Sequence, residues 1–102
     1  MYQAILRPLA EQDLNNIWLY SFHNWGEVQA DRYFDQLSKA IELLGKTPLM
    51  CRERQEFTPP VRIHHHASHL IIYVEFESGI EVIRLLHESM DIDIQLSQPS
   101  ID

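Results

Sequence analysis

The fold follows from the stretch HLIIYVEFESGIEVIRLLH, residues 69–87. Two mostly apolar runs, residues 69–76 and 80–87, flank the small residues Ser78 and Gly79. Runs of this length that are rich in Ile, Val and Tyr are typical of strands. Because a short turn containing glycine separates them, the stretch predicts an antiparallel β-hairpin.

The register of this hairpin decides which side chains face the rest of the core. If residues 78 and 79 form a plain two-residue loop, one apolar face turns toward the helices. The opposite face then carries Tyr73 and Arg84. A β-bulge would change this register. The predicted pairs are Phe76 with Glu81, Val74 with Ile83, and Ile72 with Leu85.

Upstream of the hairpin, the apolar residues recur with a helical period. Residues 9–23 carry a stripe at spacings of three and four, and residues 24–26 interrupt it. A second amphipathic stretch begins at Glu27, and Gly45 and Pro48 mark its end. Two helices joined by so short a break predict an antiparallel helical hairpin. The stripe positions are Ala10, Leu14, Ile17 and Ser21 in the first helix, and Ala30, Phe34, Leu37, Ile41 and Leu44 in the second.

The remaining segments complete a β-α-α-β-β-β order. Residues 2–7 alternate as a half-buried strand does, and residues 61–66 can form a strand before the hairpin. The predicted fold is therefore of the α+β class, with an antiparallel sheet packed on an N-terminal antiparallel helical hairpin. A chain of 102 residues has room for one core. We assign this domain to residues 1–93 and a flexible C-terminal tail to residues 94–102.

Composition and charge argue against several classes of protein. Hydrophobic residues make up 45% and charged residues 23%, as in an ordinary globular domain. No apolar run approaches the roughly 18 residues of a membrane span, and the N-terminus lacks the pattern of a signal peptide. With a single cysteine, Cys51, we expect a cytoplasmic protein. The net charge of −7 disfavours tight binding to nucleic acid, especially since residues 75–102 set seven acids against Arg84 alone.

Several motifs, in the order in which they occur, resemble the ParE branch of the RelE/ParE toxin superfamily. The similarity spans residues 2 to about 93 without a long gap, which makes it more specific than one short motif. Its clearest mark is the segment of residues 83–91. The matching residues are Ala10-Glu11-Gln12-Asp13-Leu14, Ile17-Trp18, Tyr20, Trp25-Gly26, Ala30-Asp31, Tyr33, Leu37, Leu43-Leu44, Pro48, His69-Leu70-Ile71-Ile72-Tyr73 and Arg84-Leu85-Leu86-His87 through Met90-Asp91.

The resemblance implies the toxin of a type II toxin-antitoxin pair, neutralised by a ParD-like antitoxin made from the same operon. Family members typically poison DNA gyrase and so block replication. The expected role is therefore that of an inhibitory binding protein, with no catalytic residues and no cofactor. The segment of residues 83–91 marks the family and is expected to have a structural role.

Superfamily relatives of the RelE kind imply a different activity, since they cut mRNA on the ribosome with several basic residues and a late aromatic residue. That chemistry requires a base for the 2′-OH, a cation for the developing charge and an acid for the leaving oxygen. Here no lysine follows Lys46 and no tyrosine follows Tyr73. We therefore favour a packed or cation–π pair of Arg84 with Tyr73 over a nuclease site. A third alternative is a family member that does not act on gyrase and mainly binds its antitoxin.

Four histidines, at positions 64, 65, 66 and 69, would form a metal site only if their imidazoles converged. His64 and His66 share one face of a strand whereas His65 points to the other. We interpret the run as a polar strand near a sheet edge and predict no metal site. Cys51 has no evident catalytic partner and is interpreted as a half-buried thiol.

Four residues are candidates for contact with partner proteins. Trp25, between the two helices, either folds back as a structural plug or stays exposed as an anchor for a partner. Together with Arg84 it is the candidate contact with the target. An antitoxin can lay an amphipathic helix against Ile17 and Leu37, or add a strand to an edge of the sheet.

Overall fold

The helices and strands follow the predicted order, with short elements added. A computed structural model of the chain describes residues 3–97. Its elements confirm the α+β class, and none of the helices in that range combines the length and apolar character needed to cross a bilayer. The elements are β1 (Gln3–Leu6), α1 (Pro8–Trp25), α2 (Glu27–Lys46), a 3₁₀ turn (Pro48–Met50), β2 (Glu53–Arg54), β3 (Val61–His66), β4 (His69–Phe76), β5 (Gly79–His87) and α3 (Ile92–Leu96).

The two long helices form the predicted hairpin around a single glycine. Pro8 occupies the first turn of α1, where its missing N–H is no loss. Gly26 has a φ of +89°, which residues with a Cβ rarely adopt, and its N–H donates to the carbonyl oxygen of Phe22. The indole Nε1 of Trp18 donates to the Asp31 carboxylate at 2.9 Å. The hairpin is thus held both at its turn and by a contact between the helices.

The sheet is mixed, so the prediction of an antiparallel sheet is wrong at one edge. The strand order is β1-β5-β4-β3-β2, and β1 runs parallel to β5 while the other neighbours are antiparallel. Antiparallel pairing follows from tight turns between consecutive strands. No such turn joins β1 to β5, so the direction of β1 depends on how the helical hairpin packs across the sheet.

The predicted register of the β4–β5 hairpin is also wrong. The loop consists of Glu77 and Ser78, so Gly79 already belongs to β5. A β-bulge then shifts the pairing between residues 72 and 73. The observed pairs are Phe76 with Gly79, Glu75 with Ile80, Val74 with Glu81, Tyr73 with Val82, and, beyond the bulge, Ile72 with Arg84 and Ile71 with Leu85.

This register reverses the faces of β4. Ile71 and Tyr73 pack against the helices, whereas Ile72 and Val74 lie on the other face. The position of Gly79 has a steric reason, because β1 passes so close to it that a Cβ there would collide with the backbone of Gln3. The glycine is required inside the strand, and the turn moves one residue toward the N-terminus.

Each face of the sheet carries its own hydrophobic cluster. The larger cluster fills the space under the helical hairpin, and the smaller one is covered by the segment before β3 and by α3. Neither face is therefore an open polar surface. The larger cluster contains Ala10, Leu37, Ile41, Leu44, Ile71, Tyr73, Ile80, Val82 and Leu85, and the smaller contains Phe57, Val61, Ile72 and Leu86 with Ile92 and Leu96 packed against it.

α3 crosses the boundary that the sequence analysis sets between residues 93 and 94. The Asp91 carboxylate accepts a hydrogen bond from the Ile94 N–H at 3.1 Å and so caps the helix. Leu96 packs on the smaller cluster. The remainder of the predicted tail, residues 98–102, lies outside the described residues.

Candidate partner-binding groove

An open groove of about 900 Å³ lies between the helical hairpin and one end of the sheet. Its walls are the second half of α1, the first turns of α2, the β3–β4 turn and the end of β5. A groove lined by aromatic and apolar side chains together with a few polar groups is typical of a site that binds another molecule. The residues that matter below are Ile17, Tyr20, Trp25, Tyr33, His69 and His87.

Trp25 stands on the rim of this groove as an exposed aromatic side chain. It is 63% exposed and packs edge-to-face against Tyr20, with ring centroids 5.8 Å apart. The interpretation of Trp25 as a structural plug is therefore wrong. An exposed tryptophan beside a concave surface is the type of residue that anchors protein partners.

Of the two residues predicted to bind an antitoxin, only Ile17 reaches the groove. Ile17 is half-buried and lines the wall while packing on the larger cluster. Leu37 is 0% exposed in the centre of that cluster, so it has no surface to offer a partner. The prediction for Leu37 is wrong because the face of α2 that carries it turns toward the sheet.

Arg84, predicted to contact the target, is held in a partly buried ion pair. The Asp13 carboxylate accepts from Arg84 Nε at 2.7 Å and Nη2 at 3.0 Å, and from the Leu85 backbone N–H at 3.0 Å. Arg84 Nη1 also donates to the Gln95 carbonyl oxygen at 3.4 Å. The hydrogen bonds that Arg84 donates to the Asp13 carboxylate raise the pKa of Arg84. The guanidinium thus joins α1, β5 and the end of α3, and its contact with a target stays a prediction.

The predicted pairing of Arg84 with Tyr73 is wrong. Tyr73 is 0% exposed under the helices, and its hydroxyl donates to the Pro48 carbonyl oxygen at 3.0 Å. The bulge between the two strands separates Tyr73 from the neighbourhood of Arg84, since Arg84 lies opposite Ile72. Burial raises the pKa of Tyr73, which is a core residue and no acid or base for a substrate.

A chain of polar aromatic side chains closes one end of the groove. The Tyr33 hydroxyl on α2 lies 2.6 Å from His69 Nδ1 on β4. His69 and His87 are cross-strand partners with nearly perpendicular rings whose centroids are 5.5 Å apart. Beyond them, His87 Nδ1 accepts from the Ser89 backbone N–H at 3.1 Å and lies 2.7 Å from Ser89 Oγ. This chain was not predicted from the sequence, in which two histidines at facing ends of a hairpin are its only signal.

The other histidines of the run do not converge on one point. His65 Nε2 lies 3.0 Å from a Glu88 carboxylate oxygen, and His64 Nδ1 lies 3.7 Å from Cys51 Sγ. Burial lowers the pKa of His64. Within residues 3–97, no three His, Cys, Asp or Glu side chains are grouped as a metal site would require.

Residues 4–92 match the family described as the ParE toxin of the type II toxin-antitoxin system parDE. The chain belongs to the ParE toxin family. This match covers most of the 102 residues and includes every wall of the groove.

Named relatives of this ParE family member are similar over nearly their whole length. Toxin ParE1 of Mycobacterium tuberculosis is 36% identical over 93 residues, which cover 90% of this chain and 95% of that protein. Toxin ParE1 of Caulobacter vibrioides is 34% identical over 80% of this chain and 84% of its own. Toxin ParE of Escherichia coli is 29% identical over 95% of each chain.

A solved structure has the same fold. It is titled as the chromosomal ParDE toxin-antitoxin system from P. aeruginosa, and its superposition has a TM-score of 0.72 at 16% sequence identity. The match covers 85% of this chain and 96% of the other. At that identity the likeness concerns the fold alone.

Most of the cationic side chains of this ParE family member are engaged in ion pairs. Six of its eight lysines and arginines lie within 4.0 Å of a carboxylate among residues 3–97. They include Arg62 on β3 and Arg84 on β5, two cations of the sheet that a nuclease site could use. The pairs are Arg7 with Glu81, Asp35 with Lys39, Glu42 with Lys46, Arg54 with Glu56, Arg62 with Glu75, and Arg84 with Asp13.

Proposed function

We propose that this ParE toxin inhibits growth in the cytoplasm by binding DNA gyrase, without covalent chemistry of its own, and that a ParD-like antitoxin neutralises it. The observation that carries this proposal is the family match over residues 4–92. Poisoning of gyrase is the activity that the resemblance of the sequence to ParE toxins implies.

The ion pairs of the sheet arginines favour a binding protein over a ribonuclease. The side chains of Arg62 and Arg84 are only 13% and 11% exposed, and each is held by a carboxylate. RNA cleavage requires a cation that is free to stabilise the negative charge on the reacting phosphate. The Asp13 side chain is likewise only 13% exposed, and leaving a buried charge without its partner costs about 3–5 kcal/mol.

The groove is the surface that we propose for the antitoxin. Asp13 is the acidic residue of its lining, and Arg84 already neutralises that carboxylate. An occupant therefore meets an apolar and aromatic wall, which fits the apolar face of an amphipathic helix lying along Ile17 and Tyr20. Exposed carboxylates follow β5, at Glu88 and Asp91, and favour basic residues on the polar side of that helix.

The position of Trp25 supports competition between antitoxin and target. Trp25 and Ile17 line the same groove, although the sequence analysis assigned them to different partners. A helix that fills the groove would cover Trp25 as well. We propose that the antitoxin neutralises the toxin by occupying the surface through which it contacts gyrase.

A supercoiling assay with purified gyrase tests the activity. The toxin is expected to inhibit supercoiling and to accumulate gyrase-cleaved DNA, and equimolar antitoxin is expected to prevent both effects. Trp25→Ala should weaken inhibition at least tenfold, since a tryptophan anchor contributes about 2 kcal/mol or more to a protein interface. Leu49→Ala is the matched control, because Leu49 is 69% exposed and does not line the groove.

Two outcomes would contradict this proposal. Supercoiling that is unaffected by excess toxin would remove gyrase as the target and leave a family member that mainly binds its antitoxin. Cleavage of ribosome-bound mRNA that disappears in Arg84→Ala would establish the nuclease alternative. Thermal unfolding of each variant shows whether a loss of activity comes from a loss of fold.

A further inference from the structure

We propose that His87 makes the groove specific for an antitoxin helix that carries an uncharged hydrogen-bond acceptor, the carboxamide oxygen of an asparagine or a glutamine. The inference rests on the proposed function, since it names a feature of the partner that occupies the same groove. It starts from the imidazole of His87 at the end of β5, which is exposed and lines the groove. A partner that covers this ring removes the water to which its polar atoms would otherwise bind.

Hydrogen bonds in the turn after β5 decide which nitrogen of His87 carries the proton. A backbone N–H can only donate, and that of Ser89 lies 3.1 Å from His87 Nδ1. The Ser89 hydroxyl, 2.7 Å from the same nitrogen, can donate to it as well. Nδ1 is therefore the acceptor of the ring, and the proton of the neutral imidazole lies on Nε2.

The Nε2–H group of His87 remains available to a molecule in the groove. Among residues 3–97, the hydrogen bonds of this ring are both made at Nδ1. His69 packs against the ring at a right angle, with centroids 5.5 Å apart, and His69 Nδ1 itself lies 2.6 Å from the Tyr33 hydroxyl. The turn on one side and the His69 ring on the other thus hold the Nε2–H donor in place before a partner binds.

An apolar side chain is a poor neighbour for this donor. Ile17, Leu85 and Met90 line the same groove, so a helix that packs against them excludes water from it. A donor that is buried without an acceptor weakens binding. The backbone carbonyl groups within a helix already accept from the helix itself. The acceptor for His87 must therefore come from a side chain of the partner.

The charges around the groove favour an uncharged acceptor over a carboxylate. Within the described residues no lysine or arginine lines the groove, whereas Asp13 does, and Asp13 already neutralises the neighbouring Arg84. The exposed acidic residues Glu88 and Asp91 follow β5. A carboxylate of the partner would thus be buried without a counter-ion and close to like charges. A serine or threonine hydroxyl on a helix bonds to the backbone of its own helix, which leaves a carboxamide as the matching group.

Two substitutions separate the roles of the two ring nitrogens. His87→Asn keeps an acceptor for the Ser89 N–H, since Asn Oδ1 accepts from the backbone two residues on, but it removes the donor at Nε2. His87→Gln gives up the contact with Ser89 but places an amide N–H near the position of Nε2. Isothermal titration calorimetry at neutral pH measures the affinity for the antitoxin chain encoded in the same operon. Affinity is expected to fall about tenfold or more in His87→Asn and less than about threefold in His87→Gln.

His23→Asn is the control, because His23 is exposed on α1 outside the groove and its replacement should leave the affinity of the wild type. Equal affinities of the wild type and His87→Asn would overturn the inference and leave the proposed function standing. Equal losses in His87→Asn and His87→Gln would also overturn it, since they would assign the effect to the turn or to the lost ring. Absence of antitoxin binding, or binding that Ile17→Ala does not weaken, would overturn both.

A double-mutant cycle identifies the acceptor on the antitoxin. Each asparagine, glutamine, aspartate and glutamate of the antitoxin helix is replaced by alanine and tested against the wild type and His87→Asn. One asparagine or glutamine is expected to contribute about tenfold to affinity with the wild type and little with His87→Asn. Coupling of His87 to an aspartate or glutamate, or to none of these residues, would overturn the inference.

A further measurement uses the toxin alone. NMR of the ring nitrogens distinguishes the two neutral forms of an imidazole, and we expect the proton of His87 on Nε2. A proton on Nδ1 in the neutral ring would overturn the inference, because Nε2 would then be an acceptor and would select a donor on the partner.

Discussion

Asp13 shows how one residue can join two elements of a small domain, α1 and β5. Its carboxylate accepts three hydrogen bonds from Arg84 and Leu85, at the point where β1 ends and leaves the edge of β5 unpaired. A free backbone N–H at that edge would otherwise need water or another strand. In the sequence, Asp13 stands on the same helical face as Ala10 and Ile17. A carboxylate within an apolar stripe is the local signal of such a buried pair.

We expect Asp13→Ala to lower the free energy of unfolding by about 3–5 kcal/mol, because it leaves the largely buried Arg84 guanidinium without a partner. Urea denaturation measures this loss. Asp35→Ala is the control, since its ion pair with Lys39 has side chains that are 63% and 74% exposed. That pair contributes at most about 0.5 kcal/mol. Equal effects of the two substitutions would show that the Asp13 pair is no more stabilising than a surface one.

At the scale of an element, β1 depends on a glycine in the strand beside it. Gln3 pairs with Gly79, which has a φ of +155° and no room for a Cβ against the Gln3 backbone. This close approach requires a glycine beside β1, and the bulge at residues 72 and 73 shifts the register farther along the β4–β5 hairpin. The contact with β1 also explains why Gly79 belongs to a strand, although a glycine next to a serine is typical of a turn.

Gly79→Ala should therefore destabilise the domain more than Gly26→Ala does. Gly26 also has a positive φ, but nothing lies within 4 Å of a Cβ built there. We expect a loss of about 1–3 kcal/mol at Gly26 from backbone strain alone, and more than about 3 kcal/mol at Gly79, where β1 must also move. Thermal and urea unfolding measure both. Similar losses would mean that β1 is not held against Gly79.

The whole molecule should be sensitive to acid through its half-buried histidines. Burial lowers the pKa of His64 and of His69 below the ordinary value of 6.5. Between the lowered values and 6.5 the unfolded chain binds more protons than the folded one, so stability rises with pH in this window. The stability that the two neutral histidines contribute is complete above pH 6.5. It is lost as the pH falls from 6.5 through the lower folded-state pKa values.

We expect the free energy of unfolding to decrease as the pH is lowered from 7 toward 5, and to decrease less in the variant His64→Asn, His69→Asn. Chemical denaturation at several pH values gives the slope. His23→Asn, which replaces an exposed histidine, should keep the slope of the wild type. If the double variant also kept that slope, carboxylates rather than these histidines would control the acid sensitivity.

The sequence by itself determined the class of the fold, the order of the long elements and the family. Those properties depend on local patterns, namely the helical period of residues 9–23, the alternation and turn residues around 69–87, and the spacing of the motifs. Trp25 was also within reach of sequence reasoning, because the break in helical pattern at residues 24–26 marks the tip of a hairpin.

Only the tertiary structure decided the direction of β1, the register of β5 and the composition of the groove. Each depends on residues far apart in the chain, such as Gln3 against Gly79, Asp13 with Arg84, and Tyr33 with His69. Contacts of this kind are selected by steric fit and by the need to pair buried polar groups. Neither condition leaves a periodic trace in the sequence, which is why the His69–His87 pair was not predicted at all.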